Sequence, residues 1–452
     1  MTPYYIIAIV ILGVAMLLLM VLKFKLSAFI SLLMTAVFVG ILAGMPLNEI
    51  STSIQEGMGS TLGFVATIVG LGAIFGQMLE SSGGAMSLAN YLLNKFGKDK
   101  ASWALMLTGF IISIPIFLDV GFIILIPIVY ALSRNTKRSV LFYAIPLLAG
   151  LAATHTMVPP TPGPVAVANI LGVDLGWVVI FGVLVGLPSA IIAGPLFGRY
   201  IAGKIYVPVP DVLLEGKPGS ETGEGKPPSF GIIALIISVP LLLILMGTFI
   251  KLGVDKEIVK GSFITDLLIF IGHPFTALII ATLCSILLCV RRNMPGNRIL
   301  DLSTKALGPA GIIILVTGAG GVLKQILVDS GIGKILAESV AGSSVPLILL
   351  AWTLSAIVRI TQGSATVAMI TAAGIIAPIV DLLNPGQANV ALIVIAIGAG
   401  ATILSHVNDS GFWIVSRYLG MNEKQTLSSW TVMETIISLS GLALTLMFSL
   451  LV

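Results

Sequence analysis

The sequence predicts an all-α integral membrane protein made of two inverted-topology repeats, each with about five transmembrane helices, a re-entrant hairpin and a broken helix. Composition, an internal repeat and the placement of basic loops carry that prediction. Hydrophobic residues make up 57% of the 452-residue chain and charged residues only 10%, against about 25% charge in a soluble domain. The net charge of +4 is no nucleic-acid signal, because the basic residues fall between apolar stretches. The repeat is direct: Gly70-Leu71-Gly72, leading through Gln77 and Leu79 to Ser82-Gly83, returns as Gly318-Ala319-Gly320, Gln325, Leu327 and Ser330-Gly331, with 318 − 70 = 248. Leu171-Gly172 recurs at the same offset as Leu419-Gly420, and His155 is matched by His406. Polar residues at matching points of a duplicated membrane chain are a transporter signature.

In the first half (residues 1–207) the apolar stretches Tyr4–Leu22, Leu26–Gly44, Thr61–Leu79, Ser139–Val158 and Trp177–Gly198 are each near the roughly 20 residues needed to cross a bilayer. Tyr4–Leu22 has no basic n-region and no small-residue cleavage site, and reads as an uncleaved first span. Ala101 to Leu132 is too long for one crossing and breaks around Asp119-Val120-Gly121, leaving a second arm of about 12 residues, too short to cross alone. A re-entrant hairpin fits both lengths, with its tip against protein or a watery cavity. Residues 208–229, rich in Pro, Gly, Glu and Lys, read as a cytoplasmic linker. The second half (residues 230–452) repeats the order with Phe230–Ile250, Ile264–Val290 broken at His273-Pro274, Pro309–Val328, a hairpin from Pro346 to Val380, Ala391–Val407 and Thr431–Leu451. Gly318–Gly321, with Gly70 and Gly72, are expected to let helices approach closely. Cys284 and Cys289 share one apolar stretch and read as lipid-facing or core residues, and the Trp residues as core or interface.

Loop charge orients the chain. Lys23, Lys25, Lys95, Lys98, Lys100, Arg134, Lys137, Arg138, Arg199 and Lys204 fall on one side, and Arg291, Arg292, Arg298 and Lys305 join them. That side is cytoplasmic by the positive-inside rule, which puts both termini on the periplasmic face. An odd number of crossings per half makes the copies inverted.

Charges inside the hydrocarbon region cost about 3 kcal/mol or more and face a partner, water or substrate. Arg359, at the second hairpin turn, is the strongest case, and Asp119 occupies the equivalent region of the first. Two readings stand: a structural ion pair between the tips, or a guanidinium that forks onto a substrate carboxylate. Lys324 and Glu80 lie near span ends, where snorkelling suffices. The second pair of sites follows the fourth span of each half. Four prolines in six residues, Pro159 to Pro164, forbid a helix after His155, and the mate reads Ser405-His406-Val407-Asn408-Asp409. Unwound backbone there offers free N–H and C=O groups to hydroxyls and a carboxylate. Two histidines without a cysteine or carboxylate cluster do not make a metal site, and no cofactor motif is present. Neither a nucleophile–base pair nor a complete metal set supports an enzyme. An anion channel would share the polar midplane without needing repeat-related hairpins.

At these motifs the chain resembles the gluconate permease family of bacterial proton symporters. The resemblance is carried by Gly318–Gly321 with Asp329-Ser330-Gly331, and by Arg359 with Gly363-Ser364-Ala365-Thr366. Pro159-Pro160 with Pro162-Gly163-Pro164, Ser405 to Asp409 with Gly411-Phe412-Trp413, and Phe117 with Asp119-Val120-Gly121 complete it. It implies a multi-pass protein of the bacterial inner membrane that imports a sugar-acid anion with protons, and a wider group of transporters that suggests a homodimer. Arg359 is then expected to bind the carboxylate. Asn408, Ser364, Thr366, Gly363 and backbone around Gly121 and Gly163 would take hydroxyls, with Asp119, His155 and His406 also in the binding site. The proton would travel on Asp119, Asp409, His155 or His406, the two acids being favoured. Thr161 stands where many family members carry His, which leaves gluconate, fructuronate and a keto-sugar acid as candidate substrates. Sodium coupling to a carboxylate is the competitor within transport. A D-serine-type permease fits the His406-Val407-Asn408-Asp409 stretch less well.

Overall fold

The computed structural model describes residues 3–210, 228–341 and 345–452; most of the expected linker therefore lies outside the described residues. Among these residues, nine helices are long and apolar enough to cross a membrane. In chain order the first half contains α1 (Pro3–Leu22), α2 (Ala28–Leu42), α3 (Leu47–Ser81), α4 (Gly84–Phe96), α5 (Ala101–Ile112), α6 (Leu118–Thr136), α7 (Leu141–Met157), α8 (Pro162–Leu171) and α9 (Leu175–Lys204). The second contains α10 (Phe230–Asp255), α11 (Phe263–Gly272), α12 (Pro274–Arg291), α13 (Gly296–Asp329), α14 (Ile332–Ala341), α15 (Leu347–Gln362), α16 (Ala365–Leu383), α17 (Gln387–Gly400), α18 (Ser410–Leu419) and α19 (Glu423–Ser449).

From α3 and α13 onward the halves share one element order. α8 and α18 are both 10 residues long, and α6 and α16 are both 19. The repeated Ser-Gly marks the same turn twice: Gly83 and Gly331 adopt φ of 74° and 73°, a left-handed conformation that glycine enters without steric cost.

Several boundaries differ from expectation. The first hairpin breaks at residues 113–117, not at Asp119-Val120-Gly121, which form the first turn of α6. Pro115, lacking a donor, stops α5 instead. Starting earlier and running on through Ser133-Arg134-Asn135-Thr136, α6 reaches 19 residues, long enough on length alone to span. The expected 12-residue arm was too short. Two helices, α4 and α14, were not expected at all; they fill the stretches between spans. The break at His273-Pro274 is found where the proline predicts it: Pro274 is the first residue of α12, and His273 Nδ1 accepts the Phe275 N–H at 3.3 Å.

Burial separates a core from a lipid-facing rim. Within the span Leu141–Leu171, 89% of the most apolar window is buried, against 33% for α10. The proline-broken segment of the first half is thus the most enclosed of the nine spans among the described residues. Hairpin arm α5 lies against α7 at Gly109 and Gly150, where a Cβ would collide with backbone. Arm α15 lies against α17 in the same way at Gly400. Thr154 Oγ1 donates to Phe110 O at 2.8 Å, and Ser355 Oγ to Ile397 O at 2.8 Å, fastening each arm.

The long helices α3 and α13 cross at the centre. A Cβ on Gly57 would sit 2.7 Å from Gly321 O, and one on Gly321 would sit 2.6 Å from Gly57 O. The expected role of the Gly318–Gly321 run is met, although its partner in α3 is Gly57. Gly70 and Gly72 make only ordinary contacts, 3.6 Å to Leu307 and 3.8 Å to Pro160 O. Lys324 does not snorkel. Its ammonium donates to Ile170 O at 2.7 Å and pairs with Asp381 at 3.3 Å, tying α13 to α8 and α16. Cys289 is a core residue whose thiol donates to Met78 O at 3.4 Å.

Overpacking a tight crossing costs about 1–3 kcal/mol. Gly321→Val is therefore expected to lower the thermal midpoint in detergent by several degrees, while Gly70→Ala stays within about 0.5 kcal/mol of the parent. Equal midpoints for the two variants would show that the crossing is not tight.

Candidate functional site

The two hairpin tips, the end of α7 and the break after α17 meet at a cavity of about 490 Å³. Phe117 and Asp119 enter from the first tip, His155 and Thr156 from the end of α7, and Arg359 and Gln362 to Thr366 from the second tip. Asn408 to Gly411 come from the break after α17, Trp430 and Glu434 from α19, and Pro309 and Ile313 from α13. The first turns of α6, α16 and α18 all reach the cavity wall. Each helix N-terminus carries about half a positive charge, so three of them bias the space toward an anion.

Arg359 sits in the last turn of α15, buried, its side chain 4% exposed. One guanidinium nitrogen is 2.5 Å from Asp409 Oδ2, and another donates to Gly363 O. Gly363 has φ of 86°, and a Cβ there would run into the backbone of Asn408, so the tip can close only with glycine. Asp409 is heavily engaged. Ser405 Oγ donates to its Oδ2 at 2.5 Å, the Gly411 N–H donates to Oδ1 at 2.9 Å as an N-cap of α18, and Trp430 Nε1 donates to Ser405 Oγ at 2.6 Å. The ion pair of the site is therefore Arg359–Asp409, not the pairing of tips through Asp119. Asp119 lines the cavity and makes no ion pair among the described residues.

Polar atoms left over collect here. Nδ1 of His155, Nε of Arg359 and Oε1 of Gln362 are buried without a hydrogen-bond partner among the described residues. Buried polar atoms are nearly always paired, so three orphans around one cavity mark a surface shaped for a polar ligand.

Of the residues singled out in the sequence, Arg359, Asp119, His155, Gly363, Ser364, Thr366, Asn408 and Asp409 line this cavity. Gly121, Gly163 and His406 do not. Gly121 makes room for Leu151 and Gly163 for Met369, whose nearest atoms would lie 2.9 Å and 2.7 Å from an added Cβ. His406 Nε2 lies 2.9 Å from Ile360 O, and Asn408 Nδ2 donates to Ile360 O at 3.0 Å and Thr361 O at 3.2 Å. Those bonds satisfy carbonyls at the end of α15 and bolt the second tip to the break. Glu434, Trp430 and Gln362 are cavity residues that the sequence reading did not select. Glu434 is only 3% exposed. The expected span began at Thr431, which left Glu434 at its edge. The helix in fact begins at Glu423 and passes through a π-helical turn, Leu427–Thr431, before Glu434. Capping-box residues Asn422 and Gln425 were the available signal for that earlier start.

An enclosed guanidinium with its counter-ion, held between two broken helices and two hairpins in a helical membrane body, defines a membrane transporter rather than an enzyme. The chain belongs to the GntP permease family, whose model matches residues 5–451. It is 40% identical over 430 residues to the low-affinity gluconate transporter of Escherichia coli (strain K12), covering 95% of each chain. To the gluconate permease of Pseudomonas aeruginosa it is 41% identical over 436 residues, covering 96% of this chain and 95% of that one. Its fold is similar to the crystal structure of the YdaH transporter of Alcanivorax borkumensis, with a TM-score of 0.61 and 13% identity over 90% of both chains.

If Asn408 clamps the tip, Asn408→Ala should speed hydrogen exchange at residues 360–364 by roughly tenfold or more, two hydrogen bonds being worth about 1 kcal/mol each. Unchanged exchange in that segment would show that the tip is held elsewhere.

Proposed function

We propose that this protein imports a sugar-acid anion, gluconate or a close relative such as fructuronate, by proton symport across the bacterial inner membrane. The Arg359–Asp409 pair inside the cavity carries the reading, and the gluconate specificity named for both relatives supports the substrate class. The basic loops support an orientation with both termini periplasmic, residues 1–207 and 230–452 forming inverted repeats joined by a cytoplasmic linker at 208–229.

The Arg359 guanidinium is neutralised by Asp409. A substrate carboxylate has to take the place of that partner, because Arg359 offers a planar fork that matches one carboxylate at a time in this geometry. Displacing Asp409 as a bare anion would leave an uncompensated buried charge, a loss of about 3–5 kcal/mol. A proton on Asp409 removes that cost. Substrate and proton then bind together, and either alone is disfavoured, which is the requirement for symport. Asp119, facing the same cavity without an ion pair, is the second acid able to carry the proton. Gln362, Ser364, Thr366 and Asn408 surround the remaining volume and suit the hydroxyls, while His155 offers an unpaired ring nitrogen.

Uptake of labelled gluconate into proteoliposomes, with an imposed proton gradient and with or without sodium, tests the scheme. Arg359→Ala should cut uptake by roughly 100-fold or more. Asp409→Asn should still exchange substrate but lose gradient-driven accumulation. Should Asp119→Asn and Asp409→Asn both accumulate like the parent, the proton assignment is wrong. Accumulation driven by sodium alone would replace the proton altogether.

A further inference from the structure

Glu434 is the one acid in the cavity wall that the scheme above leaves unused. It lies one turn beyond Trp430 on the same face of α19, is 3% exposed, and lines the cavity with Arg359 and Asp409. Among the described residues its carboxyl has no hydrogen-bond or ion-pair partner. The two charges that act on it, Arg359 and Asp409, are already paired with each other. Asp119 and His155, the remaining titratable groups of the cavity wall, make no bond to it among the described residues, and His155 keeps an unpaired Nδ1. A bare carboxylate with neither donor nor cation is costly to bury. The neutral acid costs far less, and it brings what the apolar residues of the cavity wall lack: an O–H to donate and a C=O to accept. Ile313, Pro309, Ile414 and Ala152 supply no hydrogen bonds there.

We propose that Glu434 is a substrate-positioning and specificity-determining residue, donating its carboxyl O–H to a hydroxyl of the bound sugar acid near the carboxylate end. The inference rests on the sugar-acid reading. Arg359 fixes the carboxylate, Glu434 lines the same cavity close enough to feel the Arg359 charge, and a hydroxyl carried on the substrate beyond the carboxylate would meet the wall that Glu434 belongs to. A polar wall group that pairs a substrate hydroxyl rejects the analogue lacking it more strongly than an apolar pocket can. A simple monocarboxylate would leave both Glu434 and the orphaned polar atoms unpaired, which disfavours it as cargo.

Full-length protein in proteoliposomes, assayed with gluconate, 2-deoxygluconate and 3-deoxygluconate, tests this as a cycle between side chain and substrate hydroxyl. Glu434→Met, similar in length and without a donor, is expected to raise KM for gluconate about tenfold, as one lost hydrogen bond would. For the deoxy acid that lacks the paired hydroxyl, KM should change by no more than about twofold. Glu434→Gln, keeping a donor and an acceptor, should recover most of the preference for gluconate. Equal KM losses for all three acids would overturn the proposal, as would a Glu434→Gln protein that keeps its KM but loses gradient-driven accumulation. Should the Met variant fail to fold, Glu434→Gln alone decides, because loss of its preference for gluconate over both deoxy acids removes the proposed bond. A parent protein that takes up no sugar acid would instead bring down the functional reading itself.

Discussion

The centre of this molecule is constrained by one buried guanidinium. A cation enclosed in a membrane body is tolerated only with partners, and Arg359 has collected them from two segments, one of them braced by a third. Its own helix end supplies Gly363 O, the break after α17 supplies Asp409, and Asp409 in turn is held by Ser405, which Trp430 of α19 holds. Remove the charge and the reason for each of these elements to converge disappears. The unwound backbone is equally constrained, since every open N–H and C=O in the membrane has to be paired. Asn408 and His406 answer for the carbonyls at the second tip, and Asp409 answers for an N–H of α18.

The two halves reach the cavity with different chemistry on a common scaffold. The first contributes an acid and a histidine nitrogen that are unpaired among the described residues. The second contributes the arginine, its counter-ion and the polar bolts. Both halves share one element order from α3 and α13 onward, while the charged residues that they bring to the cavity differ.

Much of this was legible in the sequence because the membrane penalises the relevant residues so heavily. Arg359, Asp119 and the polar breaks stood out against long apolar stretches, and Pro159 to Pro164 and His273-Pro274 marked real interruptions. Other features were hidden for physical reasons. Gly121 and Gly163 were selected for free backbone, but their lack of a side chain serves packing against Leu151 and Met369. Which acid pairs with Arg359 depends on how the break folds back onto the hairpin, and spacing along the chain carries no such information. Glu434 was hidden by a helix start eight residues earlier than apolar character suggests, and by a π-helical turn that resets which face looks inward. That Gly57, and not Gly70 or Gly72, makes the close approach to Gly321 was hidden because a crossing point depends on where two long helices meet, not on motif repetition.

The crossing of α3 and α13 has a consequence for how the chain is made. Besides touching each other, α13 packs on α2 and α3 packs on α12, so each half lends its longest helix to the other. During synthesis the first half would emerge with its inward faces bare of their native cover, and would have to wait in the bilayer until the second arrives. Neither half is a finished unit.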